Sequence, residues 1–373
     1  MSYKIKYINL QAQHLSIKKE IMNKIENIFS KSAFILRKEV SDFEKKITKI
    51  LNVKYCVALN SGTDALLMSL SQLNIIKGDE IIVPSHTYVA SVSAIKHVGA
   101  NPVFIDIRED FNLNPEEIKK KITRKTKAIM VVHLNGRCCE MNTIMKIAKK
   151  FNLKVIEDAA QAFGSKINKK YAGTFGLTGA FSLHPMKNLN VPGDGGFLVT
   201  NNNKIYSNVL LLRDHGRVKK KNKEIRKSYG FNSRLDNLHA AIALIKIKYF
   251  KNWILKRRYI ASMYNKNLKS EIKNIELPIF KNTNLNYFDT YNSYVLKVKN
   301  RDKLKKYLIK NKIEVFSHID KGVHLEKNLV KNKVYLPVTE KIEKKIISLP
   351  IYPELKYREV LYVCKKIKEF YEK

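Results

Sequence analysis

A lysine follows a short apolar segment in a stretch of the sequence that is rich in turn-forming residues. The stretch reads Phe181-Ser182-Leu183-His184-Pro185-Met186-Lys187-Asn188-Leu189, and Gly193-Asp194-Gly195-Gly196 follows soon after it. An amine that forms Schiff bases must be held partly away from water, so that its neutral form exists near neutral pH. Most lysines in a chain this rich in lysine are solvated surface residues. Lys187 therefore becomes a candidate catalytic amine only if other parts of a site accompany it.

Two further segments supply such parts. The first reads Asn60-Ser61-Gly62-Thr63-Asp64-Ala65-Leu66 and lies where a predicted strand ends and a helix begins. Free amides and the helix dipole favour an anion there, and Gly62 lets the backbone come close to it. The alternative interpretation is a simple helix N-cap by Ser61 or Thr63.

The other segment reads Val155-Ile156-Glu157-Asp158-Ala159-Ala160-Gln161 and ends an apolar strand with two acids. In α/β proteins ligands bind at this edge of the sheet, and a carboxylate there can pair with a cationic ring nitrogen. The alternative is an aspartate that caps a helix. A phosphate-binding turn, a ring-pairing carboxylate and a desolvated lysine are together the three parts that a pyridoxal phosphate site requires.

A fourth segment, Gly230-Phe231-Asn232-Ser233-Arg234-Leu235-Asp236, indicates a loop before a helix, in which Arg234 meets an anion or an internal carboxylate.

The elements that must position these residues follow an alternating pattern. Short apolar runs predict strands, and stripes of period 3.6 predict helices between them. The predicted strands span residues 55–59, 80–83, 102–105, 128–132, 154–156, 179–182 and 196–200. Strands interleaved with helices argue for an α/β fold in which a mostly parallel sheet is covered by helices on both faces.

After a helix predicted at 238–248, the pattern changes to a smaller α+β unit. Its predicted strands span 294–298 and 313–316, with a helix at about 302–310 and a final helix near the C-terminus. We therefore expect a large domain over residues 1–250 and a small C-terminal domain over 251–373. The N-terminal helix is expected to pack on the small domain.

The chain carries a formal net charge of +38 over 373 residues. Such a charge is typical of nucleic-acid binding or of a general compositional bias towards lysine. The lysines are spread along the chain, and the dense run Lys219-Lys220-Lys221-Asn222-Lys223 falls in a predicted loop without aromatic residues. We therefore expect no nucleic-acid partner.

The same composition gives further exclusions. The N-terminus lacks the apolar run of a secretory signal, and no stretch of eighteen apolar residues predicts a membrane span. The spacing of the four cysteines (Cys56, Cys138, Cys139 and Cys364) matches no zinc site. We expect reduced thiols, no bound metal and a cytoplasmic protein.

At the four segments above the chain resembles the DegT/StrS-type nucleotide-sugar aminotransferases, which have the aspartate-aminotransferase fold (fold type I). The resemblance runs from Ile8-Asn9-Leu10 to Leu349-Pro350-Ile351-Tyr352-Pro353. It includes the segments Gly78-Asp79-Glu80-Ile81-Ile82-Val83-Pro84, Thr87-Tyr88-Val89-Ala90-Ser91 and Leu212-Arg213-Asp214-His215-Gly216.

The resemblance implies a role for each matching residue. Lys187 would hold pyridoxal 5'-phosphate as a Schiff base and shuttle the proton between donor and cofactor. Asp158 would pair with the ring nitrogen, Gln161 would lie beside the ring hydroxyl, and Tyr88 would stack on the ring. Further residues are implied to bind the phosphate or the substrate: Gly62, Thr63 and Ser182 in one subunit, Asn232 from the neighbouring subunit of a homodimer, and His184 and His324 at the sugar or its phosphates.

Two departures from the family pattern concern the substrate rather than the core chemistry. Leu36-Arg37 stands where a Gly usually follows an apolar pair, and Asn135 replaces a usual Tyr.

The expected reaction is a ping-pong transfer of an amino group from an amino acid, most often L-glutamate in this family, to a nucleotide-linked keto sugar. The sequence Gly193-Asp194-Gly195-Gly196 resembles members that act on 3-keto-6-deoxy sugars. Two relatives of the same fold remain as alternatives. One is a sugar 3-dehydratase, in which histidine replaces the lysine, and the other is a non-catalytic regulatory protein. The family's usual setting is the biosynthesis of surface polysaccharide or another glycoconjugate.

Overall fold

The secondary structure follows the apolar pattern of the sequence closely. The computed structural model describes residues 3–220, 223–268, 274–278, 286–330 and 332–372. Within these ranges the α-helices are α1 (Leu10–Ser30), α2 (Lys38–Leu51), α3 (Gly62–Leu70), α4 (Val89–His97), α5 (Pro115–Lys121), α6 (Met141–Lys150), α7 (Asn203–Arg213), α8 (Asn237–Leu268), α9 (Arg301–Lys310), α10 (Pro337–Glu343) and α11 (Tyr357–Tyr371). The strands are β1 (Tyr55–Leu59), β2 (Glu80–Pro84), β3 (Asn101–Ile105), β4 (Thr126–Val132), β5 (Lys154–Asp158), β6 (Lys166–Ile167), β7 (Lys170–Tyr171), β8 (Thr178–Ser182), β9 (Gly196–Thr200), β10 (Arg217–Lys220), β11 (Lys223–Arg226), β12 (Ile275–Glu276), β13 (Tyr287–Phe288), β14 (Tyr294–Val298) and β15 (Ile346–Leu349).

Seven of these strands form a central sheet in the order β1-β9-β8-β5-β4-β2-β3. The pairs β2–β3, β2–β4, β4–β5 and β5–β8 are parallel, whereas β9 runs antiparallel to both β8 and β1. The predicted mostly parallel α/β sheet is confirmed, with β9 as its one reversed strand. The carboxyl ends of β1, β2, β4, β5 and β8 consequently meet at one edge, beside the beginning of β9.

Both faces of the sheet are buried under helices. In β1, Val57 and Leu59 pack in a core with α3, α4 and α7, whereas Cys56 and Ala58 pack in a core with α2 and α8. A third core lies beneath α5 and α6. Because successive side chains of a strand point to opposite faces, this division explains why the strands are apolar at nearly every position.

The C-terminal part of the chain has its own core and a three-stranded sheet in the order β12-β14-β15. Its core contains the second half of α8 together with residues of α9 and α11. The strand predicted at 313–316 is wrong. Ile313 makes one bridge to Ile5, and Phe316 makes one bridge to Ser348. Because the two ends of this segment pair with different partners, no continuous ladder forms.

Helix α8 runs through the predicted domain boundary at residue 250 without interruption. Its first half packs in the core beside the large sheet, and its second half packs in the C-terminal core. The apolar face of α1 lies against the first half of α8, through Ile17 and Ile21. Ile5, upstream of α1, is the residue that packs in the C-terminal core. The boundary at residue 250 stays a prediction.

The basic run 219–223 does not form a simple loop. Lys219 and Lys220 end strand β10, Lys223 begins strand β11, and the two strands pair as an antiparallel hairpin; Lys221 and Asn222 lie outside the described residues. Among the described residues, no helix has the length and apolar character to cross a bilayer. Within the same ranges, no group of three or more metal-binding side chains comes together. The four cysteines are buried and unbonded.

Candidate active site

Lys187 lies in a short connection between β8 and the reversed strand β9. This connection is tied to itself and to the sheet edge: the amide of Val191 donates to the carbonyl of Leu183 over 2.8 Å, and the amide of Leu183 donates to Gly195 over 2.8 Å. The amide of Lys187 donates to the carbonyl of His184, also over 2.8 Å. These hydrogen bonds hold the loop that carries Lys187 at the carboxyl edge of the sheet.

The environment of Lys187 makes its ammonium group easier to deprotonate than that of a solvated lysine. Its side chain is half-buried, and desolvation lowers the pKa of the ammonium below its ordinary value. The negative charge of Asp158 acts in the opposite direction and raises the pKa of Lys187. The two side chains are thus close enough to interact electrostatically, and burial is the larger effect.

Asp158 ends strand β5 and is buried. Its Oδ2 accepts a hydrogen bond of 2.7 Å from the hydroxyl of Ser91, and its Oδ1 accepts one of 3.1 Å from the amide of Ala160. The hydroxyl of Ser91 also contacts that of Thr87 at 2.9 Å. Asp158 is therefore oriented by α4 and by the turn after β5, at the edge where Lys187 lies.

The neighbouring acid, Glu157, has a different environment because adjacent side chains of a strand point to opposite faces. Glu157 is fully buried and accepts four hydrogen bonds, from Nε2 of His133 (2.9 Å) and from the amides of Gly173 (2.8 Å), Phe175 (2.6 Å) and Gly176 (2.6 Å). Since the amide of Cys139 donates to Nδ1 of His133, Nε2 of this histidine carries the proton. Glu157 thus fastens the loop at 173–176 to the sheet.

The turn before α3 has the geometry of an anion site. Ser61 caps the helix, because its Oγ accepts a hydrogen bond of 3.0 Å from the amide of Asp64. The amides of Gly62 and Thr63, in the first turn, have no acceptor among the described residues. A Cβ on Gly62 would lie 2.9 Å from Cβ of Ser182, so a side chain at 62 would fill the space between the two residues. The N-cap therefore leaves two amides of the turn available to an anion, beside Ser182 and the exposed Thr63.

Two further predicted residues flank the same edge. The Oε1 atom of Gln161 accepts a hydrogen bond of 2.9 Å from the backbone amide of Asn135, the residue that departs from the family pattern. Tyr88 stands immediately before α4, and 68% of its side chain is exposed in the single chain. Its ring is thus free to cover a ligand at the edge.

The loop at 230–236 lies beside the α3 turn. The hydroxyl of Ser233 donates to Oδ2 of Asp64 over 2.6 Å, and Asn232 next to it is exposed. Arg234 makes an internal ion pair of 2.8 Å with Asp214, which is the second of the two interpretations of this arginine.

The two histidines predicted to contact substrate have contrasting positions. His184 is exposed, three residues before Lys187. His324 is buried, and both ring nitrogens are engaged, Nδ1 with Oγ of Ser85 at 2.5 Å and Nε2 with Oε1 of Glu340 at 3.4 Å. This geometry gives His324 a structural role between β2 and α10 and does not support a substrate contact.

Sequence analysis missed His318, which comes from the C-terminal part of the chain. Desolvation, followed by the positive charges of Lys187 and Lys305, lowers the pKa of His318 to about 4. Its ring stacks on Phe316 and meets the edge of Tyr7. A neutral imidazole therefore lies within electrostatic reach of Lys187. No local pattern around residue 318 indicates this contact.

Comparison with known proteins agrees with this geometry. Residues 15–368 match the model of the DegT/DnrJ/EryC1/StrS aminotransferase family. The chain is 37% identical to dTDP-3-amino-3,6-dideoxy-alpha-D-galactopyranose transaminase of Aneurinibacillus thermoaerophilus, over 98% of this chain and 99% of the relative. It is 34% identical to a pleiotropic regulatory protein of Geobacillus stearothermophilus, over 98% of each chain.

A solved structure is similarly close. The crystal structure of DesV from S. venezuelae, in complex with a ketimine intermediate, superposes with a TM-score of 0.93 at 31% identity and covers 100% of both chains. The match over nearly the whole sequence, together with a lysine and an aspartate at one sheet edge, leads to one conclusion: the chain belongs to the DegT/DnrJ/EryC1/StrS family of pyridoxal-phosphate-dependent aminotransferases.

Proposed function

We propose that this enzyme transfers the amino group of L-glutamate to a keto sugar carried on a nucleotide. The proposal rests on the amine of Lys187. This amine is partly desolvated, its loop is held by backbone hydrogen bonds, and the charge of Asp158 acts on it. The nucleotide-sugar transaminase that is 37% identical along the chain supports the choice of acceptor.

The residues present fit the cofactor. The free amides of the α3 turn, where Gly62 lies close against Ser182, suit its phosphate. Asp158, held by Ser91, would pair with its ring nitrogen, Gln161 would lie beside the ring hydroxyl, and Tyr88 would cover the ring. Bound pyridoxal phosphate supplies an aldehyde that condenses with amines and a cationic ring that accepts an electron pair.

The contribution of the protein is to position groups and move protons. The amine of Lys187 would accept a proton at Nζ from the α-carbon of the amino donor and deliver it to the C4′ carbon of the cofactor. In the second half-reaction it would move a proton from that carbon to the keto carbon of the acceptor. Burial supports both steps because it lowers the pKa of this amine and so reduces the cost of cycling between its two forms. His184, exposed beside Lys187, is proposed to contact the acceptor.

The substrate sugar is proposed to carry its keto group at C3 and to lack the 6-hydroxyl. Two observations support this choice: the Gly193-Asp194-Gly195-Gly196 segment, and the relative named for a 3-amino-3,6-dideoxy sugar. Mass spectrometry of products, after incubation with glutamate and a panel of nucleotide-linked 3-keto and 4-keto sugars, tests the proposal. Amination of 4-keto substrates alone would overturn it.

We also propose a homodimer in which Asn232 completes the phosphate site of the neighbouring subunit. The exposure of Asn232 and of the flanking Phe231 supports this arrangement. Mixing Lys187→Ala chains with Asn232→Ala chains tests it. A shared site predicts one intact site in each hybrid dimer, so an equal mixture regains up to about a quarter of the activity. Independent sites predict no recovery.

A regulatory function without turnover is the second candidate, since a relative that is 34% identical is named a pleiotropic regulatory protein. The test is borohydride reduction in the presence of cofactor, followed by peptide mapping and an assay with glutamate. Our proposal predicts a cofactor label on the Lys187 peptide, no such label in Lys187→Ala, and formation of 2-oxoglutarate. A label without any turnover would favour the regulatory function.

The retained lysine argues against a 3-dehydratase. We propose a cytoplasmic enzyme of surface-polysaccharide or other glycoconjugate biosynthesis, with its buried cysteines reduced.

A further inference from the structure

A buried cation lies behind the Lys187 loop. Lys246 belongs to α8, and only 7% of it is exposed. Its Nζ atom donates to Oδ1 of Asn190 at 2.5 Å and to Oε1 of Gln13 at 3.4 Å. No carboxylate of the described residues lies within ion-pair distance of this ammonium group, so neutral amide oxygens are its near partners.

Burial of this ammonium group has a high free-energy cost for a contact with a purely structural role. A buried ammonium without a paired carboxylate loses hydration that amide oxygens replace only in part. Desolvation lowers the pKa of Lys246 to about 8, and the more distant charge of Glu354 only partly opposes this shift. A methionine would fill the same space on α8 without that cost, so the amine has another use.

The contacts of Asn190 indicate that use. While its Oδ1 accepts from Lys246, its Nδ2 donates to the backbone carbonyl of Lys187 over 2.9 Å and to Oε1 of Gln13 over 3.5 Å. The amide of Lys187 is bound to His184 on the other side. Asn190 is itself buried, so its amide cannot exchange these partners for water. The chain of contacts runs from α8, through one asparagine, to the peptide group that carries the catalytic amine.

We propose that Lys246 is a positioning residue that sets the orientation and desolvation of the Lys187 amine through Asn190. The proposal rests on the proposed role of Lys187 and extends it. Lys246 donates to the carbonyl end of the Asn190 amide and so fixes the direction of its NH2 group. That group holds the Lys187 peptide in place and keeps the side chain at the sheet edge. Without Lys246 the carbonyl oxygen of this asparagine loses its donor, so its amide group is less firmly oriented, the loop loosens, and the Lys187 amine reaches more water.

The test measures the Lys187 amine directly in the full-length, cofactor-free protein. Acetic anhydride labelling across a pH series, read by mass spectrometry of the Lys187 peptide, gives the midpoint at which this amine loses its proton. Lys246→Met and Asn190→Ala are each expected to raise this midpoint by on the order of half a pH unit or more, because a loosened amine is better hydrated. Lys251→Met, an exposed position on the same helix, removes the same charge and is expected to leave the midpoint unchanged.

A double variant separates positioning from general destabilisation. If the effect passes through Asn190, Lys246→Met with Asn190→Ala shifts the midpoint no further than Asn190→Ala alone. In the assay with cofactor, the same variants are expected to lower kcat about tenfold while KM for the amino donor changes less than about twofold. A lower melting temperature with an unchanged Lys187 midpoint, or additive shifts in the double variant, would overturn the proposal. Failure of Lys187 to capture pyridoxal phosphate would overturn the proposed function instead, and the labelling result would still stand.

Discussion

The hydroxyl of Ser91 donates a hydrogen bond of 2.7 Å to Oδ2 of Asp158, so a turn of α4 holds the carboxylate whose charge acts on Lys187. Removing the hydroxyl in Ser91→Ala leaves one carboxylate oxygen without its fixed donor. A hydrogen bond to a charged group contributes roughly 1.5 kcal/mol or more, so we expect about tenfold weaker binding of pyridoxal phosphate. Equilibrium dialysis measures this loss. Ser93→Ala, on the same helix, serves as the control, and equal affinities in the two variants would contradict the role given to Ser91.

Gly62 is expected to be required for the phosphate rather than for the ring. In Gly62→Ala the new Cβ would lie 2.9 Å from Cβ of Ser182, which forces the α3 turn away from its partner loop. Binding of pyridoxal phosphate should weaken about tenfold or more, because the free amides of the turn no longer converge on the anion. Pyridoxal without phosphate is the matched ligand. Its affinity should change little, and a similar loss for both ligands would show that Gly62 acts on the ring or on the fold.

Variants of the two acids at the end of β5 should have opposite effects on stability and activity. Glu157→Gln places an amide NH2 against hydrogen-bond donors in a buried site, so we expect a loss of roughly 3 kcal/mol in the free energy of unfolding. Its kcat per folded molecule should stay close to that of the unaltered enzyme. Asp158→Asn should retain most of the stability and lose most of the activity, since the ring nitrogen loses its anionic partner. Chemical denaturation and steady-state kinetics check the pair, and a stable but inactive Glu157→Gln would refute this division.

His318 should report the charge of Lys187. Burial and this neighbouring cation lower the pKa of His318 to about 4, so the imidazole is neutral at neutral pH and gains its proton only in acid. Replacing Lys187 with alanine removes the positive charge and should raise the pKa of His318 towards its ordinary value. Histidine NMR titration measures the change. Lys305→Ala should give a smaller rise and exposed Lys306→Ala none. An unchanged pKa of His318 in Lys187→Ala would contradict an electrostatic interaction between the two residues.

The sequence was sufficient where local pattern decides the structure. Strands β1, β9 and β14 begin and end at the predicted residues because each is an apolar run with clear flanking turns. Lys187, Asp158 and Gly62 could be named because they follow strands whose ends meet at one edge. Contacts between distant segments could not be predicted in this way. His318 comes within electrostatic reach of Lys187, and Lys246 contacts Asn190, only after the C-terminal part and α8 have packed. The local sequence around His318 or Lys246 indicates neither interaction.

His324 shows a limit of assignment by motif, and its substrate contact stays a prediction. The family resemblance implied a contact with the sugar or its phosphates, whereas in this chain its ring nitrogens contact Ser85 and Glu340. A sequence motif places a residue along the chain, but only packing decides whether the side chain faces a ligand or the interior.

The reversed direction of β9 has a consequence for how accurately the lysine is held. A parallel neighbour of β8 would need a crossover that leaves this edge and enters the sheet again from the opposite edge, usually through a helix. The antiparallel return lets the chain leave and re-enter the sheet at the same edge, with both ends of the connection fastened there. Two hydrogen-bonded strands therefore restrain the backbone on both sides of Lys187. The distance from its amine to a bound ligand is fixed by the position of the sheet edge.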